Sequence, residues 1–302
     1  MMKKAVVIGS LNLDYSIALP RMPVPGETLA ADSLTLNPGG KGANQAYALG
    51  KLGCKTSMIG AVGQDGAGET LIQNLQKAGV DCSGIFRRET PTGQAFITVD
   101  AAGENAIIIL HGANFTLTPA DIEEKRALIE EADCVVMQLE IPMETVLAAA
   151  KMAKGCGKTV ILDPAPAPGP LPEELLKLCD FLKPNETELS QLTGMPTGSR
   201  AECEAAAQTL LQKGVGTVLV SLGGKGALAV THKGSVLMPP PKVPVVDTTS
   251  AGDCFTAAFT AHWEGALEPA LRYANAAAAI AVSRRGAQAS IPSPDEVDTF
   301  LL

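Results

Sequence analysis

The stretch from Cys134 to Asp163, CVVMQLEIPMETVLAAAKMAKGCGKTVILD, decides the architecture. Its first run, CVVMQL, is short and apolar; METVLAAAKMAKG is built of helix formers; KTVILD is a second apolar run that closes on Asp163. A strand covered on both faces has no reason to alternate polar and apolar positions. Two such runs joined by a helix therefore read as a parallel strand-helix-strand unit.

The rhythm continues outward. KAVVIG (4–9), TSMIGAV (56–62), DFLKPN (180–185) and GTVLVSL (216–222) alternate with the helical segments ANQAYALGKL (43–52), AGETLIQNLQKAG (67–79) and SRAECEAAAQTLLQKG (199–214). Over 302 residues this predicts an α/β fold, a three-layer α/β/α sandwich on a mostly parallel central sheet, in one domain covering 1–302. Two regions break the pattern. From about Leu11 to Pro38 and from about Thr92 to His111, YSIALPR, QAFITVD and NAIIIL are strand-like, with Pro and Gly turns and no intervening helix. They predict either plain edge hairpins or a small antiparallel β lid; a lid would carry polar residues on its inner face, where Asn12 and Asp14 stand. After Val246 come three helical patterns in succession, AGDCFTAAFTAHWEG, EPALRYANAAAAIAVSRRG and DEVDTFLL.

Composition narrows the function. Hydrophobic residues make up 46% and charged residues 19%, the balance of a folded globular chain. The net charge of −8 opposes the phosphate contacts on which nucleic-acid binding depends. No window approaches the ~20 apolar residues of a membrane span. The apolar run after Lys3 and Lys4 is broken by Gly9, Ser10, Asn12 and Asp14, too early for a signal peptide. Seven cysteines, an odd number without any C-x-x-C pair, read as free thiols in a reducing compartment. A cytoplasmic protein with small-molecule partners is expected.

Several familiar motifs are excluded. GKT at 157–159 lacks the upstream glycine of a Walker A loop, since Met152 stands there, and it opens a strand. The first strand runs into GSLNLD, which is not a dinucleotide-binding turn. His111, His232 and His262 are isolated, with no partner at zinc-ligand spacing.

What remains is a set of Gly-rich polar turns. NPGGKGANQA (37–46) sits at a loop-to-helix junction, where exposed amides bind oxygen-rich ligands and Asn44 offers both donor and acceptor; a tight turn with a helix cap is the plainer reading. SLGGKGA (221–227) is either a second such turn or a hairpin into ALAV. In KPNETEL (183–189), Asn185 and Glu188 suit a capping box or water-mediated magnesium binding near a phosphate chain. VVDTTSAGDCFTAAF (245–259) holds more polar residues than a cap requires. If Ala251, Gly252 and Asp253 begin a helix, their N–H groups and its dipole face charge developing on a transferring phosphoryl group, with Asp253 beside them as a base for an attacking hydroxyl.

In their order, GSLNLD, PGET, GGKGAN, MQLE, DPAP, PNETE, SLGGKG, DTTSAGD and RRGAQ resemble the motifs of the ribokinase, or PfkB, family of carbohydrate kinases, and they span nearly the whole chain. The resemblance implies ATP-dependent phosphorylation of a ribose 5-hydroxyl, with Mg2+ and an activating K+. It places the sugar hydroxyls on Asn12, Asp14, Gly40, Lys41, Gly42, Ala43, Asn44 and Glu140, with Asp253 as base and Ala251 and Gly252 in the anion hole. ATP would meet Asn185, Ser221, Leu222, Gly223, Gly224, Lys225, Gly226, Gly252 and Asn275, and Glu188 would organise Mg2+ through water. K+ would lie among Asp247, Thr249, Ala281, Arg284, Gly286 and Ser290, largely on backbone carbonyls. A homodimer formed through the lid is also implied. The sequence departs from the family at Ser250, where Gly or Ala is usual, at Asn275, often His, and at Asp163, often Asn. Kinases of deoxyribose, fructose or adenosine, and a non-catalytic sugar-binding regulator, are the alternatives.

Overall fold

A computed structural model describes residues 2–302. The strands are, in chain order, β1 (Lys4–Ile8), β2 (Asn12–Leu19), β3 (Ser33–Gly39), β4 (Lys55–Gly63), β5 (Asp81–Arg88), β6 (Gly93–Asp100) and β7 (Asn105–Leu110). They continue as β8 (Cys134–Met137), β9 (Thr159–Leu162), β10 (Phe181–Leu182), β11 (Thr217–Ser221), β12 (Ala227–Thr231) and β13 (Gly234–Met238). Nine form the main sheet, in the order β13-β12-β11-β10-β9-β8-β1-β4-β5. From β5 to β11 every pairing is parallel, and β12 and β13 add an antiparallel edge.

The strands are apolar throughout because each feeds two cores. Along β1, Ala5 and Val7 face one helical layer while Val6 and Ile8 face the other. β8 splits likewise, with Cys134 and Val136 on one side and Val135 and Met137 on the other. The first layer contains helices Lys41–Lys51, Gly66–Lys77, Ala251–His262, Leu267–Val282 and Pro294–Leu301; Met143–Gly155, Glu186–Thr193 and Arg200–Gln212 belong to the second. The unit from Cys134 to Asp163 has the predicted form, its helix covering Met143–Gly155. Two short helices, Pro119–Glu124 and Arg126–Glu131, were not anticipated; the first begins on a capping box between Thr118 and Asp121. Strand β10 has only two residues, because Pro184 removes a backbone donor directly after Lys183.

The two regions that break the alternation meet in a second sheet, ordered β3-β2-β6-β7. Its outer pairs are antiparallel, as expected of the small antiparallel lid, but the central pair, β2 with β6, is parallel. The cause is topological. Both β2 and β6 leave the C-terminal ends of parallel strands, β1 and β5, so both run outward in the same direction. SLGGKGA forms the hairpin, with a short turn at Gly223–Lys225 joining β11 to β12. Among the described residues no helix is long and apolar enough to cross a membrane.

Helix Ala251–His262 is held against the sheet by an aromatic cluster. Phe259 is 1% exposed and lies edge-on to Phe181 at 5.0 Å between centroids, while Trp263 sits 4.8 Å from Phe181. Phe259→Ala should destabilise the fold by about 3–5 kcal/mol, the usual cost of emptying a buried aromatic site. Urea unfolding followed by circular dichroism should show a lower midpoint with an unchanged slope.

Candidate active site

The turn before helix Lys41–Lys51 is shaped by glycine. Gly40 has φ 85°, in the left-handed region, and a Cβ there would lie 2.7 Å from the backbone nitrogen of Asn12. At Gly42 a Cβ would lie 2.5 Å from that of Ser10. The absent side chains let residues 40–44 press against residues 9–12, and hydrogen bonds lock the contact. Ala43 N donates to Ser10 O at 2.8 Å, and Lys41 N donates to the Glu140 carboxylate at 3.0 Å. The Ser10 hydroxyl donates to the same Glu140 oxygen. Asn12, on β2, accepts at Oδ1 from Asn114 Nδ2 at 2.8 Å, leaving its own amide N–H groups free among the described residues. Burial, followed by the charges of Glu140 and Asp253, pushes the Asp14 carboxyl up to about 7.

The DTTSAGD turn approaches the same place from the other end of the chain. Ser250 has φ 58°, the one positive value at a non-glycine among the described residues, and precedes helix Ala251–His262. Ala251 N donates to Thr248 O at 3.2 Å, so it is spent on the turn. Gly252 and Asp253, in the first helical turn, have no carbonyl within the helix to receive their N–H groups. The two carboxylate oxygens of Asp253, 5% exposed, are each fixed by an amide: Gln45 Nε2 donates to Oδ1 at 2.9 Å and Asn44 Nδ2 to Oδ2 at 3.1 Å. Asn44 also donates to Ser250 Oγ at 2.8 Å and accepts from Gln288 at 2.9 Å. Gln45 reaches Asp163 Oδ2 at 3.0 Å and accepts from Gln138 at 2.6 Å.

A cleft of about 1020 Å3 opens beside Asp253. Asn185, Ser221, the glycines at 223, 224 and 226, Lys225, Gly252 and Asn275 all line it, as do Lys41, Glu188, Ala251 and Asp253. Leu222 does not; its side chain is buried in the core between the strands and the second helical layer. Asn185 and Glu188 form a reciprocal capping box, Glu188 N donating to Asn185 Oδ1 at 2.7 Å and Asn185 N to Glu188 Oε2 at 2.8 Å. Oε1 of Glu188 takes no hydrogen bond from the described residues, so the cap and a role at the cleft are compatible. Burial raises the Glu188 pKa, with Asp163 adding to it. For Lys41, burial alone would lower the pKa, but the carboxylates of Asp253, Asp163, Glu140 and Glu188 together raise it, keeping the ammonium charged. Asn275 spends its amide on Met238 O at 2.8 Å, which pins the cleft wall after β13.

Behind the turn that precedes helix Ala251–His262, Asp247 gathers Thr249 and residues 282–286. Its carboxylate accepts from Thr249 N at 2.9 Å, from Thr249 Oγ1 at 2.6 Å and from Gly286 N at 2.9 Å, and its own N–H donates to Val282 O. Burial would raise the Asp247 pKa, but these bonds hold it below the ordinary value. The Asp247 carboxylate and the Thr249 hydroxyl are hard oxygen donors of the kind that can stand in for the water shell of K+. The Arg284 side chain pairs with Glu296, and its backbone N–H donates to Ala281 O at 3.1 Å. Ser290 donates its hydroxyl to Ala287 O at 2.8 Å.

Several residues of the site were not foreseen. Ser10, Gln45, Asn114, Gln138, Lys183 and Gln288 are all buried polar groups that join the network. A signal was present for two of them, and for Asp163. Gln138 follows β8, Asp163 follows β9 and Lys183 follows β10, so each is the polar residue at the C-terminal end of an apolar parallel strand, where open α/β sheets place ligands.

The chain matches the model of pfkB family carbohydrate kinases over residues 2–294. A ribokinase of Haemophilus influenzae is 40% identical over 305 residues, covering 100% of this chain and 99% of that protein. A deoxyribokinase of Salmonella typhi is 39% identical over 298 residues, covering 98% and 97%. The structure of Arabidopsis thaliana ribokinase complexed with ribose and ATP superimposes with a TM-score of 0.93 at 38% identity, covering 100% of this chain and 99% of that one.

The half-buried acid at position 14 yields a pH prediction. Its pKa rises from 3.8 in the unfolded chain to about 7 in the fold, so the folded state binds the extra proton, and stability falls as pH rises between these values. Asp14→Asn abolishes that slope. Melting temperatures should favour the variant over the wild type most at pH 8, with the gap narrowing toward pH 5; an equal gap at both would contradict the assignment.

Proposed function

The chain belongs to the pfkB family of carbohydrate kinases, and from that premise we propose that it transfers the γ-phosphoryl group of ATP to the 5-hydroxyl of D-ribose, giving D-ribose 5-phosphate and ADP. The observation that carries the reading is Asp253: a buried carboxylate at a helix start, each oxygen fixed by an amide, on the wall of a cleft of nucleotide size. As the 5-hydroxyl attacks phosphorus, Asp253 takes its proton, and charge on the equatorial oxygens meets the N–H groups of Gly252 and Asp253 and the positive helix end. Asn12, Asp14, the turn 40–44 and Glu140 hold the remaining sugar hydroxyls. Asn44 thus serves twice, orienting both base and sugar.

ATP occupies the cleft along residues 221–226, with Asn185 and Lys41 toward its phosphates and Asn275 keeping the far wall in place. Ala251 helps by shaping the turn, since its N–H is already engaged. Glu188 fits a water-mediated contact to Mg2+, a hard cation that keeps several of its waters; when bound, the ion neutralises phosphate charge. K+ fits the Asp247 loop, with Thr249, Ala281, Arg284, Gly286 and Ser290 contributing chiefly carbonyls. Asp247 and Ala251 flank one short turn, so order in the loop is order in the anion-binding helix start.

The smaller sheet acts as a lid of a single domain. Its edge strands expose Leu34 and Leu36 on β3 and Ile107, Ile108 and Leu110 on β7, an apolar set that fits a second copy of the lid in a homodimer. The cysteines are all unpaired, which suits the reducing cytoplasm. The Salmonella typhi relative favours 2-deoxyribose as the second candidate substrate, because the two sugars differ by one hydroxyl that a few contacts decide.

ADP release should be fastest with D-ribose in a panel containing 2-deoxyribose, fructose and adenosine. It should be accelerated by K+ and reduced by roughly 10²-fold to 10⁴-fold in kcat by Asp253→Asn. Fastest turnover of another acceptor would retain the kinase and overturn the ribose assignment. Sedimentation should show a dimer at micromolar concentration, dissociated by Ile108→Lys; a monomeric wild type would overturn the lid contact.

A further inference from the structure

One buried ion pair has no part in the steps above. Asp163 follows β9 and Lys183 follows β10, so neighbouring parallel strands deliver both to the cleft. Lys183 Nζ lies 3.0 Å from Asp163 Oδ2, with the side chains 5% and 1% exposed. A pair so buried stabilises little, because desolvation of both charges offsets their attraction and an apolar pair would pack as well. Its bonding is also incomplete. Asp163 Oδ1 is buried with no partner, while Oδ2 accepts from both Lys183 and Gln45.

Lys183 has three N–H groups to place. One meets Asp163, a second lies a long 3.5 Å from Gly252 O, and the third has no partner among the described residues. The ammonium also rests against the bare face of Gly252, where a Cβ would stand 3.1 Å from Nζ. A positive charge with an unspent donor therefore sits in the cleft wall, touching the helix start whose N–H groups face the phosphoryl group.

We propose that Lys183 is a further catalytic residue of the phosphoryl transfer, its ammonium contacting the oxygens of the transferring phosphoryl group while Asp163 holds it in place and Gly252 gives it room. The proposal rests on the ATP-dependent reading of the site. The bond from the sugar oxygen to γ-phosphorus forms as the bond to the bridging oxygen of ADP breaks, and the hydroxyl proton goes to Asp253. Lys183 keeps its own protons and supplies charge, as a compact ammonium does well for phosphate. Asp163 is then a positioning residue.

Removal of both charges separates this role from that of a counter-ion. Asp163→Asn should keep kcat within about tenfold of the wild type, whereas Lys183→Met and the double variant Asp163→Asn/Lys183→Met should both lose about 100-fold or more, the usual cost of one charge-stabilising donor. The double variant leaves no unpaired buried carboxylate, so it tests the chemistry even where Lys183→Met alone folds poorly. A titration without sugar should show the double variant binding a β,γ-imido analogue of ATP about tenfold more weakly than Asp163→Asn does, with ADP affinity changed by less than about threefold. A double variant as active as Asp163→Asn, or one that binds analogue and ADP as Asp163→Asn does, would make Lys183 a mere counter-ion and overturn the proposal. If the wild type fails to phosphorylate ribose, the substrate reading falls, while the nucleotide titration still decides the role of Lys183.

Discussion

Everything in the site depends on the double grip on Asp253. Its two oxygens are held by Asn44 and Gln45, adjacent residues near the start of a helix that begins at Lys41, more than 200 positions earlier in the chain. That contact exists only because two helix starts are brought together at the same edge of one parallel sheet. Glycine at 40 and 42 permits the first to press on residues 9–12, and the left-handed Ser250 turns the chain into the second. Moving either helix by an ångström would break both bonds and misdirect the carboxylate.

Much of this was legible in the sequence, and the reasons differ by element. The strands of the main sheet could be read because burial on both faces leaves runs such as CVVM and TVIL apolar without interruption. The turns 40–44 and 251–253 stood out because they carry more glycine and more polar groups than a cap needs. The direction of the β2 and β6 pairing was not legible: strand alternation records which face is buried and says nothing of the neighbour's polarity. Gln45 and Gln138 were hidden because a buried amide looks like a surface residue until its partners are known. Asp163 was visible as an oddity and became intelligible only with Lys183 beside it.

The capping box at Asn185 and Glu188 shows that local and functional readings of a motif need not compete. Each residue gives its neighbour one oxygen, which satisfies two helix-end donors, and Glu188 retains its other oxygen toward the cleft. The hairpin after β11 makes the same point, since SLGGKGA turns the chain and lines the cleft with backbone at once.

The parallel β2 and β6 pair has a mechanical consequence. The smaller sheet joins the main body through four short crossings, near Gly9, Gly40, Pro91 and Gly112, and the close contacts among residues 11, 12, 40 and 91–93 bring these crossings side by side. With all four crossings on one line, the rest of the smaller sheet has no chain link to the main body: Asn12 stands beside that line, and the starts of β3 at Ser33 and of β7 at Asn105 lie at the opposite ends of their strands from it.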